Sequence, residues 1–366
     1  MMQKGKDNSI KYVLKKLDST YATWFQNSKS FLLIEEPAFE VLKHFSDGID
    51  KKKITTICQE KLGHLEENIP QFVAEIIQHI EYFNDTNNTP AISKKHKVAN
   101  QNHSESFYSR CVYNLGDEII EVKYGNEDLE FAVHPLIAHL EISNNTKANH
   151  TIDCFIQDNL VISEYNGQLL DAYHKEDFEY FTGGLRQLMY SILYKIDYYD
   201  WMAMFHASGI KQKNESILFS AAAGSGKTTI SALLKAHGFG YLSDDFIAGD
   251  AAGKAYPFPA AISVKEGSVK TLSEFYPELL KTATKKTFIG KEVKYIPINN
   301  IDAPNKNGVP VKAFVFVQFV KNGDFVFEKV GKREALQLLL RETWVNPKPE
   351  FVSRFFDWID KLPFYR

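Results

Sequence analysis

Apolar residues recur along this chain with two different periods, and the switches between them mark out its elements. Phe31-Leu32-Leu33-Ile34 reads as a strand, and Glu36-Pro37 opens a helix whose Phe39, Val41, Leu42 and Phe45 turn inward before Asp47-Gly48 closes it. Ile54, Ile57 and Cys58 mark a second helix; Phe72, Val73, Ile76, Ile77 and Ile80 mark a third with three-to-four spacing. Ahead of Trp24 the chain reads as a polar, lysine-bearing lead-in with one short amphipathic turn around Val13-Leu14. Residues 24–83 are thus expected to form a small winged-helix-like α+β unit.

Polar residues then take over. Residues 84–105 are poor in hydrophobes and lack periodicity, which predicts a linker, and His96 and His103 within it are too isolated to suggest a metal site. From Phe107 the alternation is of the β kind: Cys111-Val112-Tyr113, Ile119-Ile120-Glu121-Val122, Leu129-Glu130-Phe131, Thr151 to Phe155 and Leu160-Val161-Ile162. A long helix is expected from Phe178 to about Ile196, followed by a strand over Trp201 to Phe205. Ile217-Leu218-Phe219 reads as a buried parallel strand, Ile230, Leu233 and Leu234 as a helix face ended by Gly238, and Phe239 to Leu242 as the next strand. Ile262-Ser263-Val264 returns to the sheet, Val311 to Val320 and Asp324 to Val330 are expected to pair as a hairpin, and 332–342 and 349–362 read as closing helices. The expected class is α/β, with a β-rich lobe inside a larger domain over 106–366.

With 366 residues, 44% hydrophobic and 24% charged, the chain has core enough for two or three domains. A net charge of −3 offers no electrostatic reason to expect nucleic acid or an anionic membrane as partner. The apolar run Ala313 to Val317 is strand length, well short of the roughly 18 residues a bilayer requires, and the first residues lack the apolar stretch of a signal peptide. Cys58, Cys111 and Cys154 are dispersed and form no C-x-x-C, which points to reduced thiols of structural or incidental role in a cytoplasmic protein.

The chemistry concentrates in residues 215–250. Ala221-Ala222-Ala223-Gly224-Ser225-Gly226-Lys227-Thr228 keeps every fixed position of the phosphate-loop pattern G-x-x-x-x-G-K-[ST] except the first, where alanine replaces glycine. Ala223, Gly224, Ser225, Gly226, Lys227, Thr228 and Thr229 are the expected nucleotide contacts, because glycines let backbone N–H groups face phosphate and a helix begins there. Lys227 supplies a charge to the β- and γ-phosphates, and Thr228 an oxygen for Mg²⁺. The expected ligands are therefore ATP or GTP with Mg²⁺. After the next strand come Asp244 and Asp245, one suited to hold the metal beside Thr228 and the other to accept a proton from an attacking hydroxyl.

From Phe205-His206-Ala207-Ser208 through this loop to Tyr241-Leu242-Ser243-Asp244-Asp245, the sequence resembles HPr kinase/phosphatase and its relatives, whose nucleotide core is related to phosphoenolpyruvate carboxykinase. The resemblance continues to Pro257-Phe258-Pro259 and 264–268. It implies a P-loop kinase core, ATP and Mg²⁺, a metal site including Asp244 and Thr228, Asp245 as proton acceptor, and catalytic parts for Lys227 and His206, which lies twenty-one residues before that lysine. Three features of the family are missing, among them the HPr-kinase signature that follows its second metal-ligand glutamate. No carboxylate stands near Lys270 to serve as second metal ligand, Glu266 and Glu274 being the nearest, and no arginine occurs between Arg186 and Arg333. HPr itself is accordingly not implied as the substrate.

Residues 24–83 resemble the PqqD-like peptide-recognition domain, on the apolar strand, Phe39 to Gly48, the Ile54 helix and the Ile69 to Ile80 helix. Such domains take up a leader peptide as an added strand. The combined expectation is an ATP-dependent kinase acting on a hydroxyl, serine first, of a peptide or protein bound by the N-terminal domain. A small-molecule kinase and a non-catalytic nucleotide-binding regulator stay open, as does a homo-oligomer. The lysines Lys281, Lys285, Lys286, Lys291 and Lys294, with Lys270 upstream, read either as a loop approaching phosphate or as a solvated face, and Lys265 as a residue that could face phosphate.

Overall fold

The computed structural model describes residues 10–62, 68–89, 107–286, 292–298 and 307–366. They form a mixed α/β protein with several sheets that divides into two compact units.

The first unit opens with a three-stranded antiparallel meander: β1 (Tyr12–Leu17), β2 (Thr20–Phe25) and β3 (Ser30–Glu35). Three helices follow, α1 (Glu36–Ser46), α2 (Lys51–Leu62) and α3 (Ile69–Asn84). Pro37 starts α1 where no amide hydrogen is needed, and Asn68 caps α3 by accepting from the Gln71 amide at 3.2 Å. Val41, Leu42, Ile54, Cys58, Val73, Ile77 and Ile80 pack with Phe25, Tyr12, Leu14, Leu32 and Ile34 into one core.

Strands β1 and β2 lie where a polar lead-in was expected. Asp18, with φ of 52°, makes the two-residue turn that joins Leu17 to Thr20. Every residue of β2 is buried, so the alternation that betrays a half-exposed strand is missing.

The second unit begins with β4 (Ser109–Leu115) and β5 (Glu118–Tyr124), then α4 (Glu127–Ile137), β6 (Glu141–Ile142), β7 (His150–Gln157), β8 (Leu160–Tyr165), β9 (Gln168–His174) and α5 (Phe178–Tyr194). The six strands form one sheet in the order β6-β4-β5-β7-β8-β9. Leu129-Glu130-Phe131, expected as a strand, is helical. Asn126 accepts from the Leu129 amide at 3.0 Å, and Glu127, Asp128 and Glu130 favour the positive end of the helix, so local capping outweighs a three-residue alternation.

Next come β10 (Ala203–Phe205), β11 (Ala207–Gln212), β12 (Glu215–Ser220), α6 (Lys227–Ala236), β13 (Gly240–Ser243), β14 (Ile247–Gly249), β15 (Lys254–Tyr256), β16 (Ile262–Lys265), α7 (Glu266–Ser273), β17 (Lys285–Lys286), β18 (Glu292–Ile296) and β19 (Val309–Phe316). The chain closes with α8 (Lys332–Arg341), β20 (Thr343–Val345), α9 (Pro349–Lys361) and β21 (Phe364–Tyr365). A nine-stranded sheet runs β13-β11-β12-β19-β15-β14-β10-β20, with β21 beside β19, while β16, β18 and β17 make a separate small sheet.

The large sheet is mixed rather than open and parallel. β12 is parallel to β19 but antiparallel to β11, which is antiparallel to β13 in turn. Two reversals restore direction, so β12 and β13 still deliver their carboxyl ends to one edge. The expected hairpin over 311–330 is not formed: β19 ends at Phe316, and only an isolated bridge from Lys329 to Tyr365 returns to the sheet.

Residues 345–361, read from sequence as part of the second domain, belong to the first compact unit. There Phe356 of α9 meets Phe31 edge-on at 6.0 Å, and Asp357 and Asp360 hold Lys15 at 2.7 and 3.3 Å. This helix covers the second face of the meander, which is why β2 is buried throughout. The linker expected at 84–105 lies outside the described residues from position 90 onward.

Within the nine-stranded sheet, Gly209 of β11 is walled in. A Cβ there would stand 2.7 Å from Ile247 Cδ1 and 2.9 Å from Leu218 Cδ2. Gly209→Ala should destabilise the protein by about 1–3 kcal/mol, the usual cost of overpacking, read as a lowered midpoint in urea or thermal unfolding; an unchanged midpoint would refute this packing.

Candidate functional site

Strand register, more than any single side chain, assembles the site. Ala207 pairs with Ser220 and Gly209 with Ser243, so the start of β11, the end of β12 and the end of β13 lie side by side. His206 precedes the first, the glycine-bearing loop follows the second, and Asp244-Asp245 follow the third. Three segments far apart in sequence therefore converge on one edge.

In the loop, Gly224 and Gly226 have φ of 89° and 102°, conformations that an L side chain resists. A Cβ on Gly224 would meet nothing within 4 Å, so that bend faces open space. The amides of Ala223, Gly224 and Gly226 donate to no described residue, and Ser225 closes a turn onto the Ala222 carbonyl at 3.3 Å. Beyond it α6 begins at Lys227, and its first turn leaves amides without a partner inside the helix. Thr229, in that turn, shares a hydrogen bond of 2.7 Å with Ser268 of α7.

Lys227 is 6% exposed, and its ammonium donates to the Ala221 carbonyl and lies 3.5 Å from His206 Nε2. Burial lowers its pKa, opposed by the charges of Asp245, Glu342 and Asp244. Thr228 donates its hydroxyl to Asp244, 2.9 Å from Oδ1, and the Ser263 amide donates to Oδ2 at 3.1 Å. Burial, and then the neighbouring Asp245, push the Asp244 carboxyl up to about 7.

His206 carries a carboxylate on each ring nitrogen: Asp245 Oδ1 lies 2.7 Å from Nε2 and Glu342 Oε2 2.6 Å from Nδ1. A carboxylate oxygen against each nitrogen favours the ring in which both nitrogens donate, the imidazolium. The Asp245 hydrogen bond raises its pKa above the ordinary value against the opposing effect of burial. Asp245 itself has φ of 70°, a left-handed turn between β13 and β14 that aspartate tolerates better than most residues. Burial would raise its pKa, but the His206 hydrogen bond and the Arg186 charge hold the carboxyl well below the usual range. Its side chain keeps 46% exposure, so this ionised oxygen pair is also open to a partner.

Every residue expected at the site is thus placed. Lys227, His206 and Asp245 form one contiguous cluster, Thr228 and Asp244 a pair directly behind it, and 223–229 its rim. Lys265 stands just before α7, its side chain making no cap, and is close enough to depress Lys227 electrostatically. Of the lysines at 281–294, Lys291 lies outside the described residues, and Lys294 is committed to the Leu279 carbonyl at 2.8 Å. Glu266 sits exposed in the first turn of α7.

Two members were missed from sequence. Arg186 of α5 reaches Asp245 Oδ2 at 3.4 Å while its guanidinium stacks over Phe246 at 5.7 Å. Glu342, just after α8, binds His206 through its side chain and accepts from the His206 amide through its carbonyl at 2.7 Å. Neither lies in a motif, and no spacing rule links residue 186 or 342 to residue 245. The sequence matches no family model and no curated protein.

The raised Asp244 carboxyl makes a signed prediction. A folded pKa of about 7 against roughly 3.9 unfolded means that its favourable contribution is complete below the lower value and is lost as pH climbs through the upper one. Asp244→Asn should melt higher than the parent protein at pH 8 in metal-free buffer, the gap closing as pH falls toward about 4. A gap independent of pH would contradict the assignment.

Proposed function

We propose that this protein is an ATP-dependent kinase that transfers the γ-phosphate to a hydroxyl, serine first, of a peptide or protein held by its N-terminal unit. The observation that carries the reading is the contiguous set Lys227, His206 and Asp245 beside a loop whose amides at 223, 224 and 226 have no described partner and whose bend at Gly224 faces open space. On this reading the second unit holds a P-loop core of the HPr kinase and phosphoenolpyruvate carboxykinase type, and the first is a winged-helix-like, PqqD-like peptide-recognition domain.

The donors suit a magnesium nucleotide. Unpartnered amides at 223–226 and the start of α6 match phosphate oxygens, and Lys227 adds a point charge. Thr228 and Asp244 are hard oxygen donors already in contact, and they would hold Mg²⁺, which neutralises charge on the phosphates when bound. Asp245 stays ionised at neutral pH, so it accepts a hydrogen bond from the acceptor hydroxyl and fixes the attack direction. Because its ion pairs weaken it as a base, it takes the proton late, once bonding to phosphorus has made the hydroxyl acidic. The His206 imidazolium orients that carboxylate. Arg186, beside the same carboxylate, adds positive charge where phosphoryl charge builds.

The N-terminal unit contributes through its sheet. The order β1-β2-β3 leaves β1 and β3 as edges, and an edge strand offers backbone groups to an incoming peptide. Tethering a weak peptide site to a catalytic unit raises the local substrate concentration.

With purified protein, labelled ATP and candidate peptides, Lys227→Ala should weaken Mg-nucleotide binding. Asp245→Asn keeps the side-chain shape but gives up the ion pairs to His206 and Arg186, so it should stay folded with a lowered melting temperature, retain Mg-nucleotide binding and cut transfer roughly 10-fold or more. An Asp245→Asn protein that unfolds makes the residue structural, and a folded parent protein that ignores Mg-nucleotide sinks the kinase reading.

A further inference from the structure

Away from this site, Cys111 Sγ, a carboxylate oxygen of Glu130 and a ring nitrogen of His134 all lie within 4.8 Å of one another. We infer that Cys111, Glu130 and His134 form a binding site for a zinc-type transition-metal ion.

The placement follows from two regular elements. Glu130 and His134 are four residues apart on α4, so they project from the same face of the helix. Cys111 and Tyr113 are two apart on β4 and point to the same side of the sheet. Helix α4 packs against that strand in the core containing Cys111, Tyr113, Tyr124, Leu129 and Val133. A strand donor thereby meets two helix donors.

Ring orientation is set before any metal arrives. The Tyr113 hydroxyl lies 2.9 Å from His134 Nδ1 and 3.1 Å from the Tyr124 hydroxyl, and both tyrosines are fully buried. Engaging one imidazole nitrogen in this way fixes the ring plane, and a ring that donates from Nδ1 to the Tyr113 oxygen keeps its Nε2 lone pair for a metal. The Glu130 carboxylate, by contrast, has no ion pair or hydrogen bond to a described residue.

The donor set selects the kind of ion. Thiolate, imidazole and one carboxylate suit zinc and its neighbours, whereas Mg²⁺ and Ca²⁺ prefer oxygen alone. A thiolate and a carboxylate also cancel the two charges of the ion, so the filled site buries no net charge in a largely apolar core. Three protein ligands leave a fourth position for water or for Glu141, which lies opposite Tyr113 across the β4–β6 ladder. Binding releases the thiol proton to solvent as the sulfur–metal bond forms, without redox change.

The test uses the full chain, stripped of metal and titrated with Zn²⁺ against a chromophoric chelator in excess Mg²⁺, with Co²⁺ as a spectroscopic probe. One tight equivalent should bind, and the Co²⁺ form should show thiolate-to-cobalt charge-transfer absorption. Cys111→Ser should abolish that absorption, and Glu130→Gln and His134→Gln should each weaken Zn²⁺ binding roughly 10-fold or more. The two helix variants alter partly exposed positions, and their melting temperatures without metal report whether folding is intact. His206→Ala should retain the equivalent. Absence of tight Zn²⁺ binding to the parent, or binding that survives all three ligand substitutions and disappears with His206→Ala, overturns the site and leaves a hydrogen-bonded Cys–Tyr–His cluster.

Discussion

An imidazole with a carboxylate against each nitrogen is favoured in its doubly protonated form, and in this protein that one ring ties together segments that are remote in sequence. His206 joins Asp245 after β13 to Glu342 after α8, while its backbone amide is bound by the same glutamate. Remove either acid and the ring is free to lose its charge or swing. The direction in which Asp245 points, and therefore the geometry offered to any ligand of the loop, depends on this bridge. Opposite charges sustain it: Arg186, His206 and Lys227 lie against Asp245 and Glu342 in a region where an unmatched charge would be costly.

The two adjacent aspartates are chemically unlike despite their identical side chains. Asp244 is 5% exposed with the Thr228 hydroxyl and the Ser263 amide as its partners, and its carboxyl is pushed up to about 7. Asp245 faces an imidazolium and a guanidinium and is held ionised. Environments that separate two like groups in this way divide labour between them: the first gains charge when a cation arrives, and the second is charged throughout. The left-handed backbone at Asp245 is what turns consecutive residues toward such different surroundings.

The inferred metal site teaches a related point about cysteines. Three thiols with no motif spacing read as inert packing, and among them Cys58 and Cys154 remain so, each enclosed in its own apolar core. Cys111 differs only because a helix laid across its strand brings Glu130 and His134 within reach. Ligand spacing is informative when donors share one loop or one helix, and it is silent when one donor comes from a strand and two from a helix.

Local physics carried much of this protein's structure in its residue order. Helices α1, α3, α5 and α6 announce themselves by three-to-four periodicity and end at caps, and the glycines flanking Ser225 supply the left-handed backbone that the loop's bend requires. The candidate residues at 223–229 and 244–245 could be named because a phosphate-loop pattern and paired acids each follow a short apolar run, whereas His206 stands out only through the family resemblance. What required the folded chain was everything decided by pairing partners. The mixed order of the nine-stranded sheet, the burial of β2 by α9, the helical state of 129–131 and the arrival of Arg186 and Glu342 all depend on which surface meets which. Periodicity reports how a segment divides its own faces between core and water; it holds no information about the identity of the residue that will lie across the gap.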